Sequence, residues 1–293
     1  MQSVDAISTY KNKSQLFAHK QLVRCPDCAL IFINPLPSEK DLDSYYKNVW
    51  LNDESIVSTS SEAAITHQLQ ADERVKYLSR YLNLSTLSKV LDVGSGDGFL
   101  FDSFKKNNLS HISFYATDPS DKNIQKLRRK GINAYYGLDQ ITERDFDLIA
   151  ICFVLEHIGD PLQFMKYVLQ YVKKNGYIFI DIPERDDLFK PFLEPHVMVY
   201  TKQSLLRLLE KLSLTIIHCT GYGIERSRLV QQTTLWGKIV KKIFSLKKFL
   251  CRQMYIVLLR KNSHEVELMS QYKEYKLDQE GSDRWWLRTV VLK

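Results

Sequence analysis

Lys89-Val-Leu-Asp-Val-Gly-Ser-Gly-Asp-Gly-Phe-Leu100 is the stretch that decides the fold. Val90, Leu91 and Val93 form a short apolar, β-branched run that stops at Gly94, Gly96 and Gly98. Phe99, Leu100 and Phe104 then recur on one helical face. This reads as a buried strand, a glycine turn and a helix. A turn without Cβ atoms lets the backbone pass close to a ligand. A dinucleotide turn in the G-x-G-x-x-G register needs a third glycine at residue 99. Phe99 stands there, which weakens the pyrophosphate reading.

Working outward, Ser113-Phe-Tyr-Ala-Thr117 is strand-like and ends in Asp118-Pro119, 24 residues past Gly94. An acid about 20 residues beyond the first glycine is the expected partner of a ribose. Phe146-Asp-Leu-Ile-Ala-Ile-Cys-Phe153 is a continuous apolar run, as a central parallel strand should be. Val154-Leu-Glu-His-Ile-Gly-Asp-Pro161 follows it. Leu162 to Lys173 reads as a helix closed by Lys174-Asn175-Gly176. Tyr177 to Ile182 reads as the next strand, ended by Pro183, and His196 to Leu205 leads into a further helix. Residues 63–82 read as an earlier helix with Ile65, Leu69, Val75, Leu78 and Leu82 on one side.

The pattern Asp92-x-Gly94-x-Gly96-x-Gly98 resembles motif I of the class I methyltransferases that use S-adenosyl-L-methionine (SAM). Leu155-Glu-His-x-x-Asp-Pro161 is similar to the signature of the branch that includes ubiquinone-biosynthesis O-methyltransferases. His196 to Leu205 resembles that branch's entry into its last helix. Where the family has Gly-Phe after that helix, this chain has Ser213-Leu214. The resemblance implies an α/β, Rossmann-like sheet of seven strands in the order 3-2-1-4-5-7-6, the seventh antiparallel, with helices on both faces. It implies a cofactor site formed by Asp92, Gly94, Gly96, Gly98, Phe99, Asp118 and Phe153, with Asp118 on the ribose hydroxyls and the helix at 63–82 as a roof. It also implies a small-molecule or glycan acceptor.

Methyl transfer from a sulfonium is an in-line displacement, and an enzyme contributes proximity and alignment to it. A hydroxyl acceptor also needs a base. His157 is the first candidate, since the tip of the fourth strand faces the methyl group in the resembled fold. His196 is the second, and Glu156 would orient a base or the amino group of SAM. The resemblance also allows Glu156, His157 and Asp160 to ligate a divalent metal, but no metal is assigned.

With 293 residues, 44% of them hydrophobic and 26% charged, the chain has globular composition and length for one full core plus additions. The expected division is an N-terminal segment at 1–50, a linker and lead-in helix at 51–85, the SAM-binding domain at 86–262 and an extension at 263–293. Leu22-Val-Arg-Cys25-Pro-Asp-Cys28 to Ser38 resembles the second zinc knuckle of a module found ahead of methyltransferases that modify sugars. The first knuckle is missing, and beyond His19 nothing completes four ligands, so two free thiols are expected. The five cysteines suggest a reducing compartment, and the absence of a leader or a 20-residue apolar run points to the cytoplasm. Residues 236–252 combine six basic residues with Trp236, Ile239, Val240, Ile243, Leu246 and Leu250 at helical spacing. Such a helix either packs on the protein or lies on an anionic membrane. Nucleic acid is the weakest partner, because no binding module accompanies the net charge of +7. Two other classes stay open: a non-catalytic SAM-fold interaction protein and a nicotinamide-dependent oxidoreductase.

Overall fold

The computed structural model describes residues 5–10, 14–50, 61–188, 193–222 and 254–261. Five parallel strands form the centre: β4 (Lys89–Val93), β5 (Ser113–Thr117), β6 (Asn133–Tyr135), β7 (Phe146–Cys152) and β8 (Val172–Pro183). Two further strands, β10 (Leu214–Tyr222) and β11 (Met254–Lys261), extend one edge in antiparallel pairing. The sheet order is β10-β11-β8-β7-β4-β5-β6.

Both faces of this sheet are covered, which is why β7 carries no polar alternation and is buried at all seven positions. Leu91, Ile149, Ile151, Ile178 and Ile180 point into one apolar cluster. Val90, Leu148, Ala150 and Phe179 point into the other. The second cluster takes Val75 and Leu78 from α2 (Ser61–Leu78), Leu100 and Phe104 from α3 (Phe99–Lys106), and Ile124 and Leu127 from α4 (Asp121–Arg129). The first takes Met165 and Val168 from α5 (Pro161–Val168) and Leu205 and Leu209 from α6 (Lys202–Glu210).

The N-terminal segment lies on the α5–α6 face. Strands β1 (Asp5–Thr9), β2 (Gln21–Arg24) and β3 (Ile31–Asn34) form an antiparallel sheet. Its fourth strand is β9 (Met198–Val199), supplied by the loop before α6. Tyr10, Phe17, Leu22, Ile31 and Ile33 share one cluster with Val197, Met198 and Tyr200. A short helix, α1 (Glu39–Tyr45), continues into a wider turn at Tyr46–Trp50.

Two expected elements have different limits. The helix after Pro161 stops at Val168, and Val172 already pairs with Phe146 as the start of β8. Asn175 and Gly176 are therefore not a helix cap. They form an irregularity inside the strand, with Asn175 at φ +61 and the β7 register shifting between Phe146 and Leu148. A Cβ on Gly176 would lie 2.9 Å from the Phe146 carbonyl oxygen, so a bare backbone is needed there. The lead-in helix ends at Leu78 rather than 82, and Ile65 is 39% exposed instead of facing the core. Residues 236–252 and 263–293, with their basic stripe and Trp285-Trp286, lie outside the described residues. No described helix is long and apolar enough to cross a membrane.

Candidate active site

The glycine turn sits at the carboxyl ends of the parallel strands, where open α/β sheets bind ligands. Gly94 and Ser95 both donate their N–H to Thr117 O, at 2.9 and 3.0 Å, which pins the turn to the end of β5. Gly94 has φ +72, and a Cβ there would come within 2.5 Å of Val154 Cγ2. Gly96, at φ +55, has nothing within 4 Å of its missing side chain. The space above Gly96 is open to a ligand. Asp118 directly follows β5 and accepts Gly96 N at 2.8 Å through Oδ2, and Ser120 N and Asn123 Nδ2 at 2.9 and 3.0 Å through Oδ1. Burial raises its pKa, and those hydrogen bonds oppose the rise.

Asp92 is buried within β4, and desolvation pushes its carboxyl up to about 6 against the pull of Ser95 and Arg74. Phe99 opens α3 and stacks on His67 of α2, ring centres 5.9 Å apart. Phe153 holds φ +58 just past β7, and the Arg74 guanidinium lies 4.7 Å above its ring. Arg74 Nε donates to Asp181 Oδ2 at 2.6 Å, and both side chains are buried. Sequence reasoning missed this pair. Arg74 is one cation on a charged helix, Asp181 lies in an apolar strand, and only folding brings them together.

The second half of the site follows β7. Leu155–His157 form a single tight turn that buries Glu156 and aims His157 toward His196. The two rings stand 4.6 Å apart and nearly perpendicular. The loop carrying His196 is tied down on both sides: Val197 N donates to Glu156 O at 2.8 Å, and Tyr10 OH donates to His196 O at 2.9 Å. His196 Nδ1 lies 2.6 Å from Asp186 Oδ2, both side chains buried. His157 Nδ1 lies 2.7 Å from the hydroxyl of Tyr46. Asp186 and Tyr46 carried no motif and were not singled out from the sequence.

Among the described residues, Glu156, His157 and His196 bring ligand atoms within 4.8 Å of one another, a spacing that can hold a cation. Asp160 is not part of that group. It is the N-cap of α5, accepting Gln163 N at 3.0 Å. This end of the sheet thus buries the acids Asp92, Asp118, Glu156, Asp181 and Asp186, with Arg74 paired to Asp181. That environment favours a ligand carrying positive charge.

Residues 64–219 match the family model described as a methyltransferase domain, which is more than half of the chain. The chain belongs to that family. Among curated methyltransferases, it is 30% identical over 138 residues to the ubiquinone biosynthesis O-methyltransferase of Pasteurella multocida, 41% of this chain and 55% of that one. It is 22% identical over 185 residues to the enzyme of the same name from Hydrogenovibrio crunogenus, 61% of this chain and 71% of that one. The chain spans about half the length of the first of these relatives. Among solved structures, the plantazolicin methyltransferase BamL, in complex with a triazolic desmethylPZN analog and SAH, superposes at a TM-score of 0.53 with 15% identity, over 76% of this chain and 95% of that one. At that identity the likeness shows the methyltransferase fold alone.

Proposed function

We propose that this methyltransferase uses SAM to methylate a hydroxyl of a small molecule, with a sugar or glycan hydroxyl as the acceptor. The observation that carries the reading is the joining, at one end of the sheet, of an open glycine turn and a buried acid with a pair of facing imidazoles. The residues fit the cofactor. Of about four carboxylate lone-pair sites on Asp118, three are taken by backbone and amide donors, which leaves one for a ribose hydroxyl, and a second hydroxyl would displace one of those donors. Arg74 supplies a buried cation for a carboxylate, and the surrounding acids suit a sulfonium. Bound SAM supplies an electrophilic methyl group.

The protein's own part is alignment and removal of one proton. Oxygen of the acceptor gains the methyl group as its O–H proton passes to a ring nitrogen of His196 or His157. His196 has the stronger support. Its Nδ1 lies 2.6 Å from Asp186 Oδ2, an acid that would stabilise the imidazolium as it forms. Glu156 carries the backbone carbonyl that holds the His196 loop and presents its carboxylate beside both rings. The sugar acceptor is supported by the resemblance of residues 22–38 to the module ahead of sugar-modifying enzymes, and the hydroxyl by the O-methyltransferase relatives.

The Glu156, His157 and His196 cluster favours a second reading, in which a divalent cation lowers the acceptor's pKa. The test combines calorimetry of SAM binding with methyl-transfer assays on nucleotide-linked sugars, using parent, His157→Ala and His196→Ala. His196→Ala should lower the rate by about 10²–10⁴, the usual contribution of a general base, with SAM affinity unchanged. Absence of SAM binding by the parent rejects the reading. Loss of activity on chelation, restored by magnesium or manganese, favours the second.

A further inference from the structure

Cys25 and Cys28 take no part in methyl transfer. They occupy the turn between β2 and β3, in the N-terminal sheet. Cys25 N donates to Leu30 O at 2.8 Å, and Ala29 N donates to Cys25 O at 3.0 Å, so the backbone closes around the turn. Ala29 holds φ +60 to complete it. A four-residue turn keeps its end Cα atoms within about 7 Å. Disulfides span about 4.4–6.8 Å between the same atoms, so the spacing of this turn suits one. Both thiols are free and half-buried, whereas Cys152 and Cys219 are free and buried.

A zinc knuckle uses a similar turn, but its ion needs four ligands. Among the described residues, the one group of three or more histidine, cysteine or acidic side chains with ligand atoms within 4.8 Å of one another is Glu156, His157 and His196. At that spacing Cys25 and Cys28 form a pair without a third ligand. The two thiols differ. The N–H of Cys28, with the Cys28 thiol and the Asp27 N–H, holds the Cys25 pKa below its ordinary value against burial. Burial raises the Cys28 pKa instead, and the Cys25 sulfur adds to the rise against the Leu30 N–H and the Lys211 ammonium. A sulfur faced by amide donors attacks as the thiolate, and its neighbour keeps its proton until it is needed.

We propose that Cys25 and Cys28 are a redox site that a small-molecule disulfide of the glutathione type closes into an intramolecular disulfide, with Cys25 as the attacking sulfur and Cys28 as the resolving one. The Cys25 thiolate attacks one sulfur of the small disulfide. A Cys25–sulfur bond forms, the S–S bond of the reagent breaks, and the first thiolate leaves. Cys28 gives its proton to that thiolate, and its sulfur attacks Cys25 Sγ. The Cys25–Cys28 bond forms as the second thiolate leaves and takes a proton from solvent. The protein sulfurs lose two electrons, and the small disulfide becomes two thiols. In a reducing compartment such a bond is transient and forms when oxidised thiols accumulate. The proposal does not rest on the methyl-transfer reading.

The experiment treats the full chain with glutathione disulfide, quenches with acid and maps the cysteines by mass spectrometry. In the parent, the peptide holding Cys25 and Cys28 should lose two hydrogens and carry no glutathione, while Cys152 and Cys219 stay reduced. Excess reduced glutathione should restore the dithiol. Cys28→Ser should stop at one glutathione on Cys25. Cys25→Ser should form its adduct on Cys28 more slowly than Cys28→Ser forms its own, with both variants melting like the parent. A parent whose pair stays reduced, ends as a glutathione adduct or bridges two chains overturns the proposal. Equal or faster reaction at Cys28 overturns the assigned roles. Zinc bound by these thiolates in protein never exposed to chelator, at one ion per chain or per two chains, overturns the dithiol itself. If a serine variant does not fold, the map of the parent still decides whether the disulfide forms.

Discussion

Asp118 and Asp92 stand on neighbouring strand ends and do different work. Asp118 spends its charge on hydrogen bonds: three donors from the turn and from α4 reach it, with the ribose proposed as a further partner. Asp118→Ala should weaken SAM binding by roughly 2–4 kcal/mol, since charge-assisted bonds contribute about 1.5–3 kcal/mol each and do not add fully. Calorimetry checks this, and a variant that binds SAM like the parent removes the assignment. Asp92 instead bears the cost of burial. Its carboxyl is raised to about 6, first by desolvation and further by Asp118, against Ser95 and Arg74. A carboxyl raised in the folded state holds its proton more tightly there than in the unfolded chain. Its contribution to stability is therefore greatest below the unfolded value and is lost as pH climbs through about 6. Neutral Asp92→Asn should melt higher than the parent at pH 7–8, by on the order of 2–3 kcal/mol, and the gain should vanish below about pH 4. Melts of the SAM-free proteins across that range decide it. A variant less stable than the parent at neutral pH would mean that attraction to Arg74 outweighs desolvation.

Element boundaries depend on single backbone positions. Thr201 and Ser204 form a reciprocal cap that starts α6. Ser213 ends the connection to β10 at φ +52, where the resembled family carries glycine. A side chain in the left-handed region costs roughly 1 kcal/mol. Ser213→Gly should therefore stabilise the chain by about 0.5–1 kcal/mol, a rise of a few degrees in melting temperature. A lower melting temperature would show that the lost serine contacts or the entropy of glycine prevail. At the other end of β7, Asn175 and Gly176 show the same principle. The chain leaves α5 early because Val172 is needed opposite Phe146, and the surplus residues bulge within the strand.

Across the whole molecule, the N-terminal sheet and the catalytic domain share one apolar cluster. Phe17, Ile31 and Ile33 are completely buried, and so are Val197 and Leu205 around α6. Burying each such side chain stabilises by roughly 1.5–3 kcal/mol. The three from the N-terminal segment together contribute roughly 5–9 kcal/mol, of the order of the 5–15 kcal/mol by which whole domains are stable. The full chain should thus melt in one cooperative transition, and a chain beginning at residue 61 should lose it. Calorimetry of both decides this. A truncated chain that melts cooperatively near the parent's temperature would make the N-terminal segment an independent unit.

The local signals were legible because they arise from neighbours in the chain. The β-branched run before three glycines, the unbroken apolar stretch at 146–153 and the acid at 118 follow from what short-range sterics and two-sided burial demand of adjacent residues. The two histidines could likewise be picked out by their places after strands. Their partners could not. Asp186, Tyr46, Arg74 and Asp181 look like ordinary polar residues until the sheet brings their ends together, because the free energy of each pair depends on a distance and a local dielectric that no spacing encodes. The sequence alone therefore determined a methyltransferase-like α/β domain and the strand ends that bear its site. Tertiary structure decided which side chain orients which imidazole, since a hydrogen bond between residues 111 apart forms only after the chain has folded.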